Sequence, residues 1–355
     1  MALIRELTEI LADENLLLDV IKKELLDLKA KYNDERRTKI VQNPGEIDIE
    51  DLIEEEASVI AMTSLNYIKR TPLDTYKSQN RGGRGIIGMQ TREEDAVTRL
   101  FVCSTHDYLL FFTNFGRVYR IKGYEVPEAG RTARGLAIVN LLSISQGETI
   151  TAVVPVRDFE KDDYLVMVTK SGVIKKTDMS AFANIRKTGI TAVNLREGDE
   201  LIAAFLTDGS KNIFAATRNG MGIMFDENDV RPMGRAATGV KAITLSDDDY
   251  VVSADFADKE DKLLNVTENG YGKRTDAEAF NVQHRGGKGV KIHQITDKTG
   301  LLSGVIKVSD NEELMIVTSE GVIIRLRGKE ISTFGRVSQG VKLINLDDGV
   351  TVAGI

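Results

Sequence analysis

The 355-residue chain has a single cysteine (Cys103), no tryptophan, three histidines and five prolines. One cysteine excludes a disulfide framework and any multi-cysteine zinc site. His106, His284 and His293 leave little for metal or acid–base chemistry, and the sequence gives none of them a partner set. No apolar run approaches the ~18 residues of a membrane span, and no basic-then-apolar leader opens the chain. A reducing, cytoplasmic setting with no membrane partner is the expectation. A Gly-x-x-x-x-Gly-Lys-Ser/Thr phosphate loop is missing, as is any carboxylate cluster at metal-site spacing.

What is present is globular composition, 28% charged and 42% hydrophobic, with 31 glycines. The charge is uneven. Of the 47 basic and 54 acidic residues, 8 and 16 fall in residues 1–62, which carry −8; the remaining 39 and 38 leave the rest of the chain at +1. A neutral body binds a polyanion only if its cations gather on one surface.

Residues 1–34 read as a helical hairpin. Leu3, Ile4, Leu7 and Leu11 recur at helical spacing, and Asp13 is placed to cap a second helix bearing Leu17, Val20, Ile21, Leu25 and Leu28. Two short helices cannot enclose a core of their own, so they are expected to be the tail of a larger domain. Residues 35–57, with Asn43-Pro44-Gly45 and then seven acids, read as an acidic linker with room for one short helix.

Residues 58–355 are periodic. A Thr-x-x-Gly turn recurs at 113–116, 169–172, 217–220, 267–270 and 318–321, and a sixth copy at 63–66 ends in Asn. Asn is the residue after Gly that best tolerates positive φ. A second ladder places Gly85, Gly135, Gly189, Gly239, Gly289 and Gly340 at intervals of 50 to 54, each before a branched apolar residue. Strand-length apolar runs lie between the ladders, as at 109–113, 150–156, 201–207, 250–256 and 314–318. Six units with room for four short strands each predict an all-β radial ring, in which neighbouring sheets bury one another. Strands at 58–63 and 350–354 are placed to meet and help close it. The lack of tryptophan argues against the Trp-Asp propellers; an open β-solenoid is the alternative architecture.

Basic residues keep the same phase. Four positions after each turn Gly or Asn stand Arg70, Arg120, Lys176, Met224, Arg274 and Arg325. Four positions before each second-ladder Gly stand Arg81, Arg131, Ile185, Arg235, Arg285 and Arg336, with Arg186 one place beyond the exception. Equivalent positions of a ring occupy equivalent places, so ten cations would form a belt suited to a sugar–phosphate backbone and indifferent to base sequence. Ten contacts correspond to a log–log salt slope of up to about −9. The competing reading is that these residues end strands and bridge neighbouring repeats through acids.

Between the ladders of the first repeat lies Gln79-Asn80-Arg81-Gly82-Gly83-Arg84-Gly85, and the fifth repeat carries a near copy, Gln283-His284-Arg285-Gly286-Gly287-Lys288-Gly289. Paired glycines permit close approach of a phosphate, and flanking arginines supply forked donors. On these residues the chain resembles the C-terminal region of DNA gyrase A, whose hallmark is the gyrase box, Gln-(basic)-Arg-Gly-Gly-(basic)-Gly. Residues 79–85 match at six of seven positions, Asn80 standing for a basic residue. Tyr67-Ile68-Lys69-Arg70-Thr71-Pro72-Leu73, Gly116-Arg117-Val118-Tyr119, Glu24-Leu25-Leu26 and Asp34-Glu35-Arg36-Arg37-Thr38 are also similar to that family.

The resemblance implies a six-bladed β-pinwheel whose blades exchange strands. It implies duplex DNA wrapped on a basic rim, with the box needed for wrapping and for negative supercoiling. The corresponding region of topoisomerase IV is the near relative, typically with a degenerate box and fewer blades; a β-propeller scaffold for protein partners is the reading from a different class. Implied partners are duplex DNA, gyrase B and the rest of gyrase A in an A2B2 assembly, with ATP and Mg on gyrase B and no cofactor in this chain. The family's nucleophilic Tyr follows an Arg, and none of the nine Tyr here does. The chain is therefore expected to wrap DNA without cutting it. Phosphate contact is assigned to Gln79, Asn80, Arg81, Gly82, Gly83, Arg84 and Gly85 of the box, and to Arg70, Arg120, Arg131, Lys176, Arg235, Arg274, Arg285, Lys288, Arg325 and Arg336 of the rim.

Overall fold

In the computed structural model the described residues are 2–34, 38, 49–63, 65–75, 86–87, 97–161 and 163–355. They divide into two units, Met1–Leu52 and Ile53–Ile355. The first unit holds the expected hairpin, helices Ala2–Ala12 and Glu14–Tyr32. Asp13 caps the second helix by accepting the Asn15 N–H at 2.9 Å, and the Asn33 N–H closes it on the Lys29 carbonyl. The second helix buries no residue, in keeping with a pair too small to form a core. A short 3-10 turn follows at Ile49–Leu52.

The second unit consists of six four-stranded antiparallel sheets. Each repeat supplies two six- or seven-residue strands joined by the Thr-x-x-Gly turn, then a two-residue third strand, then a fourth; in repeat 2 these are Tyr108–Thr113, Arg117–Lys122, Leu136–Ala137 and Ile150–Val156. The third strand does not join its own sheet. It pairs with the second strand of the preceding repeat, as Thr191 does with Arg117 and Lys241 with Val173. Each blade is thus completed by its successor.

Closure differs from the expectation. The terminal strand Val352–Gly354 pairs within its own repeat, with Val317 and Thr318, and Ala57–Thr63 pairs with Tyr67–Pro72 and Val97–Ser104. The ring is closed by Ile86–Ile87 of repeat 1, which pairs with Val322 and Ile323 of repeat 6. The same swap that joins every other pair of blades also joins the last to the first, so the two ends of the ring have no ladder to share.

Local chemistry explains the turns. The Thr113 hydroxyl accepts the Arg117 N–H, and the Gly116 N–H bonds the Thr113 carbonyl at 2.9 Å. Asn66 occupies the sixth turn at φ 61°, beside glycines at 72–78°. First strands are mostly apolar on both faces because both are covered. Leu109 and Phe111 pack toward repeat 1, while Leu110 and Phe112 pack toward repeat 3. One apolar cluster therefore lies in each interface between blades. Fourth strands approach one another about the axis, around a cavity of about 320 Å³ lined by residues such as Val153, Phe205, Asp255 and Val305. The short third strands are left on the outer edge.

Candidate nucleic-acid interface

Each second strand ends in a 3-10 turn, from which, in repeats 2 to 6, a loop runs along the outer edge to the next second-ladder glycine and the third strand. Gly135 and Gly340 show why that ladder is glycine. Their φ values are 83° and 72°, and a Cβ would lie 2.3 Å and 2.4 Å from the carbonyl oxygens of Ile68 and Gly272. The loop is held flat against the preceding blade. The outer-edge loops at 129–135, 183–189, 231–239, 281–289 and 332–340 contain no Asp or Glu. Exposed acids sit instead at the strand ends, among them Glu197, Asp247, Asp248 and Asp347 on one side and Asp208, Glu260 and Asp310 on the other. Apart from exposed Glu128, which pairs with Arg70, the described outer-edge loops hold no acid and lie between acidic strand ends.

The two ladders of cations part company in three dimensions. Most of the first ladder is structural, which corrects the rim assignment of Arg70, Lys176, Arg274 and Arg325. Arg70 is paired with Glu56 at 2.5 Å and Glu128 at 3.1 Å. Lys176 is buried 3.4 Å from buried Glu227, which also accepts from the Thr207 hydroxyl and the Lys211 N–H. Arg274 is buried, donates to the Ile331 carbonyl at 2.7 Å and pairs with Asp310, which is held below its usual pKa by that hydrogen bond. Arg325 pairs with Glu313. The physical reason is position: a mid-strand cation is largely covered from solvent and takes an acid within reach, on the next repeat for Lys176 and on its own repeat for Arg325. Met224, the exception in sequence, is simply a core residue. Arg120 alone among them has no carboxylate partner among the described residues: it donates to the Ala183 carbonyl at 2.7 Å and lies over the Tyr108 and Phe159 rings, 5.0 Å and 5.6 Å from their centroids.

Cations of the second ladder stand on the outer edge. Arg235 donates to the Ala181 carbonyl at 3.1 Å, Arg285 to the Asp229 carbonyl at 3.0 Å and Arg336 to the Ala279 carbonyl at 3.3 Å. Each is fastened to the 3-10 turn of the preceding repeat, and among the described residues none of the three has a carboxylate within salt-bridge distance. A guanidinium has five N–H donors, so most remain for a ligand. Arg131 occupies the equivalent place, half-buried. The box itself, Gln79 to Gly85, lies outside the described residues. Its near copy at 283–289 is an ordered edge loop: the Gly286 N–H bonds the Ala242 carbonyl, Thr244 accounts for the carbonyls of Gly286 and Gly287, and Lys288 is exposed.

The structure brings four arginines together. Arg117, Arg120, Arg186 and Arg235, contributed by repeats 2, 3 and 4, line a groove of about 1090 Å³ whose other walls include Asn184 and Thr191 and no carboxylate. Arg117 is oriented by the Thr188 carbonyl at 2.5 Å. The strand-swapped edge adds three exposed lysines that the two ladders do not select, Lys241, Lys291 and Lys342. They stand two places after Gly239, Gly289 and Gly340, so a third phase was readable in the sequence.

A family model described as the DNA gyrase C-terminal domain, beta-propeller, matches residues 57–104, 107–157, 163–208, 211–258, 261–309 and 312–355. The DNA gyrase A protein of Halalkalibacterium halodurans is 57% identical over 352 residues, covering 99% of this chain and 42% of that protein. Its Clostridium acetobutylicum counterpart is 50% identical over 344 residues, covering 97% and 41%. The chain thus spans about two fifths of the curated relatives it matches. A solved DNA gyrase A C-terminal domain superposes with a TM-score of 0.76 at 26% identity, covering 84% of this chain and 98% of that one. The C-terminal domain of a DNA topoisomerase IV gives 0.66 at 27% identity, covering 85% and 93%.

Proposed function

The chain belongs to the family of the DNA gyrase C-terminal β-propeller domain, and on that premise we propose that its ring binds duplex DNA without regard to sequence and bends it along the outer edge. The observation that carries this reading is the four-arginine groove with no acid in its walls. Guanidinium forks match phosphate oxygens, and contacts to the backbone alone are blind to sequence. Smooth bending of a short duplex by 40–90° costs of order 1–6 kcal/mol, and a fuller wrap costs more. Several edge contacts offset that cost at low salt.

The intact enzyme would use the wrap to present a second duplex segment with a fixed crossing sign, so that strand passage introduces negative supercoils. Strand cleavage would belong to the rest of gyrase A, and ATP and Mg chemistry to gyrase B, in an A2B2 assembly in the bacterial cytoplasm. Among the described residues no helix is long and apolar enough to cross a membrane.

The test is a gel shift of linear duplex over a salt series, comparing the parent with Arg186→Ala/Arg235→Ala. Each phosphate contact contributes about −0.9 to the log–log slope, so the variant should lose about two. A parent slope near zero would remove the DNA reading.

A further inference from the structure

We propose that Lys175 and Lys273, with Lys69 as their counterpart in repeat 1, are positioning residues that hold the edge loops in the shape that presents Arg235, Arg336 and Arg131 to phosphate. The inference rests on the DNA-binding reading of the edge.

These lysines stand three places after the turn Asn or Gly in repeats 1, 3 and 5; repeats 2, 4 and 6 carry Tyr119, Ile223 and Ile324 there. All three are at most 1% exposed, so none can touch DNA. Each ammonium reaches into the loop of the following repeat. Lys69 donates to the carbonyls of Gly130, at 3.1 Å, and Arg131. Lys175 donates to that of Arg235, and also to Ala192 at 2.6 Å. Lys273 donates to those of Gly335 and Arg336, at 2.7 Å and 2.5 Å. The carbonyl of the edge arginine is thereby turned inward, which leaves its side chain outward.

A buried charge needs a reason, because isoleucine serves at the same place in repeats 4 and 6. Among the described residues neither Lys175 nor Lys273 has a carboxylate within salt-bridge distance, and burial draws both from 10.5 to about 8. What each satisfies is loop backbone with no strand partner of its own. The sequence shows the coupling independently. Gly130-Arg131, Gly234-Arg235 and Gly335-Arg336 are the edge loops that follow a buried lysine; the loops that follow Tyr119, Ile223 and Ile324 have Asn184-Ile185, His284-Arg285 and Asn80-Arg81 instead. In the repeat-5 loop it is Thr244 that takes backbone carbonyls, those of Gly286 and Gly287, just beyond His284-Arg285.

The experiment uses the whole chain with Lys175→Ile and, in another blade, Lys273→Ile, each copying the residue of the alternate repeats. Duplex affinity over a salt series is read beside thermal unfolding. We expect the Lys175→Ile slope to flatten by about one, the value of a lost phosphate contact, although no surface charge has been removed. Affinity near 0.1 M salt should fall several-fold, Arg235→Ala should do the same, and the double variant should do no more. If the isoleucine variants do not fold, Lys175→Gln keeps a donor for the Arg235 carbonyl and should give an intermediate slope. A parent-like slope in folded Lys175→Ile or Lys175→Gln, or additive effects in the double variant, would overturn the inference and leave the DNA reading intact. A flat slope in the parent would remove both.

Discussion

Arginine and lysine in this ring do three different jobs, two of them at adjacent positions. One residue after Lys175, Lys176 is neutralised by Glu227 and closes an interface between blades; Lys175 itself serves loop carbonyls; Arg235 faces outward. Which job a cation takes depends on whether it is covered and whether an acid lies within reach. Buried polar residues elsewhere follow the same logic. His293 is fully buried where the equivalent residues are Val193, Ile243 and Ile344. Burial, with the Lys273 ammonium nearby, lowers its pKa from 6.5 to about 4. Between those values the unfolded chain binds a proton that the folded chain refuses, so this residue's effect is to lower stability as pH falls from 6.5 toward 4. His293→Val should remove that loss, a gain of about 2 kcal/mol at pH 5 relative to pH 7. Urea midpoints at the two pH values check it; an unchanged difference between them would show that the imidazole does not titrate this way.

Among the elements, the two-residue third strand does the most with the least sequence. It joins blades and forms the edge of every sheet, where an unpaired row of N–H and C=O groups invites unwanted pairing. Lys241, Lys291 and Lys342 on these strands blunt that edge and add charge beside the second-ladder arginines. Replacing all three by Ala should flatten the salt slope by about two to three units and leave the melting temperature within a few degrees, since exposed substitutions change stability little. A parent-like slope would place the bound duplex elsewhere. The short strand is also the element that sequence reading resolves least well. Two residues carry no period, and which sheet they join is a matter of tertiary pairing, so Leu136-Ala137 gives no hint that it belongs to Ile68 and Tyr67 rather than to its own repeat.

For the molecule as a whole, charge is sorted by topology: acids collect where strands end, and the described outer loops between them hold none but Glu128. Net charge therefore says little about what the ring can bind. In the proposed wrap the box at 79–85 anchors one end of the duplex, while the described edge spans the other repeats. Arg81→Ala/Arg84→Ala should then bind linear duplex with a reduced slope but bend it much less, read as end-to-end energy transfer on a labelled fragment. Equal bending by variant and parent would deny the box that role. Arg70, Lys176, Arg274 and Arg325 are taken up by carboxylates, so four of the ten phased cations leave the edge, and Arg117, Arg186, Lys241, Lys291 and Lys342 restore it.

Sequence alone determined the six-fold repeat, the all-β ring, the helical hairpin with its Asp13 cap and the family, because turn geometry and burial on both faces leave their mark on every copy. Only the tertiary structure decided which short strand crosses to which sheet, that Ile86–Ile87 closes the ring, and which phased cations face solvent. Phase fixes a residue's place along its own repeat. Whether the next blade covers that place, and with what charge, depends on residues about 50 positions away that touch it only after folding.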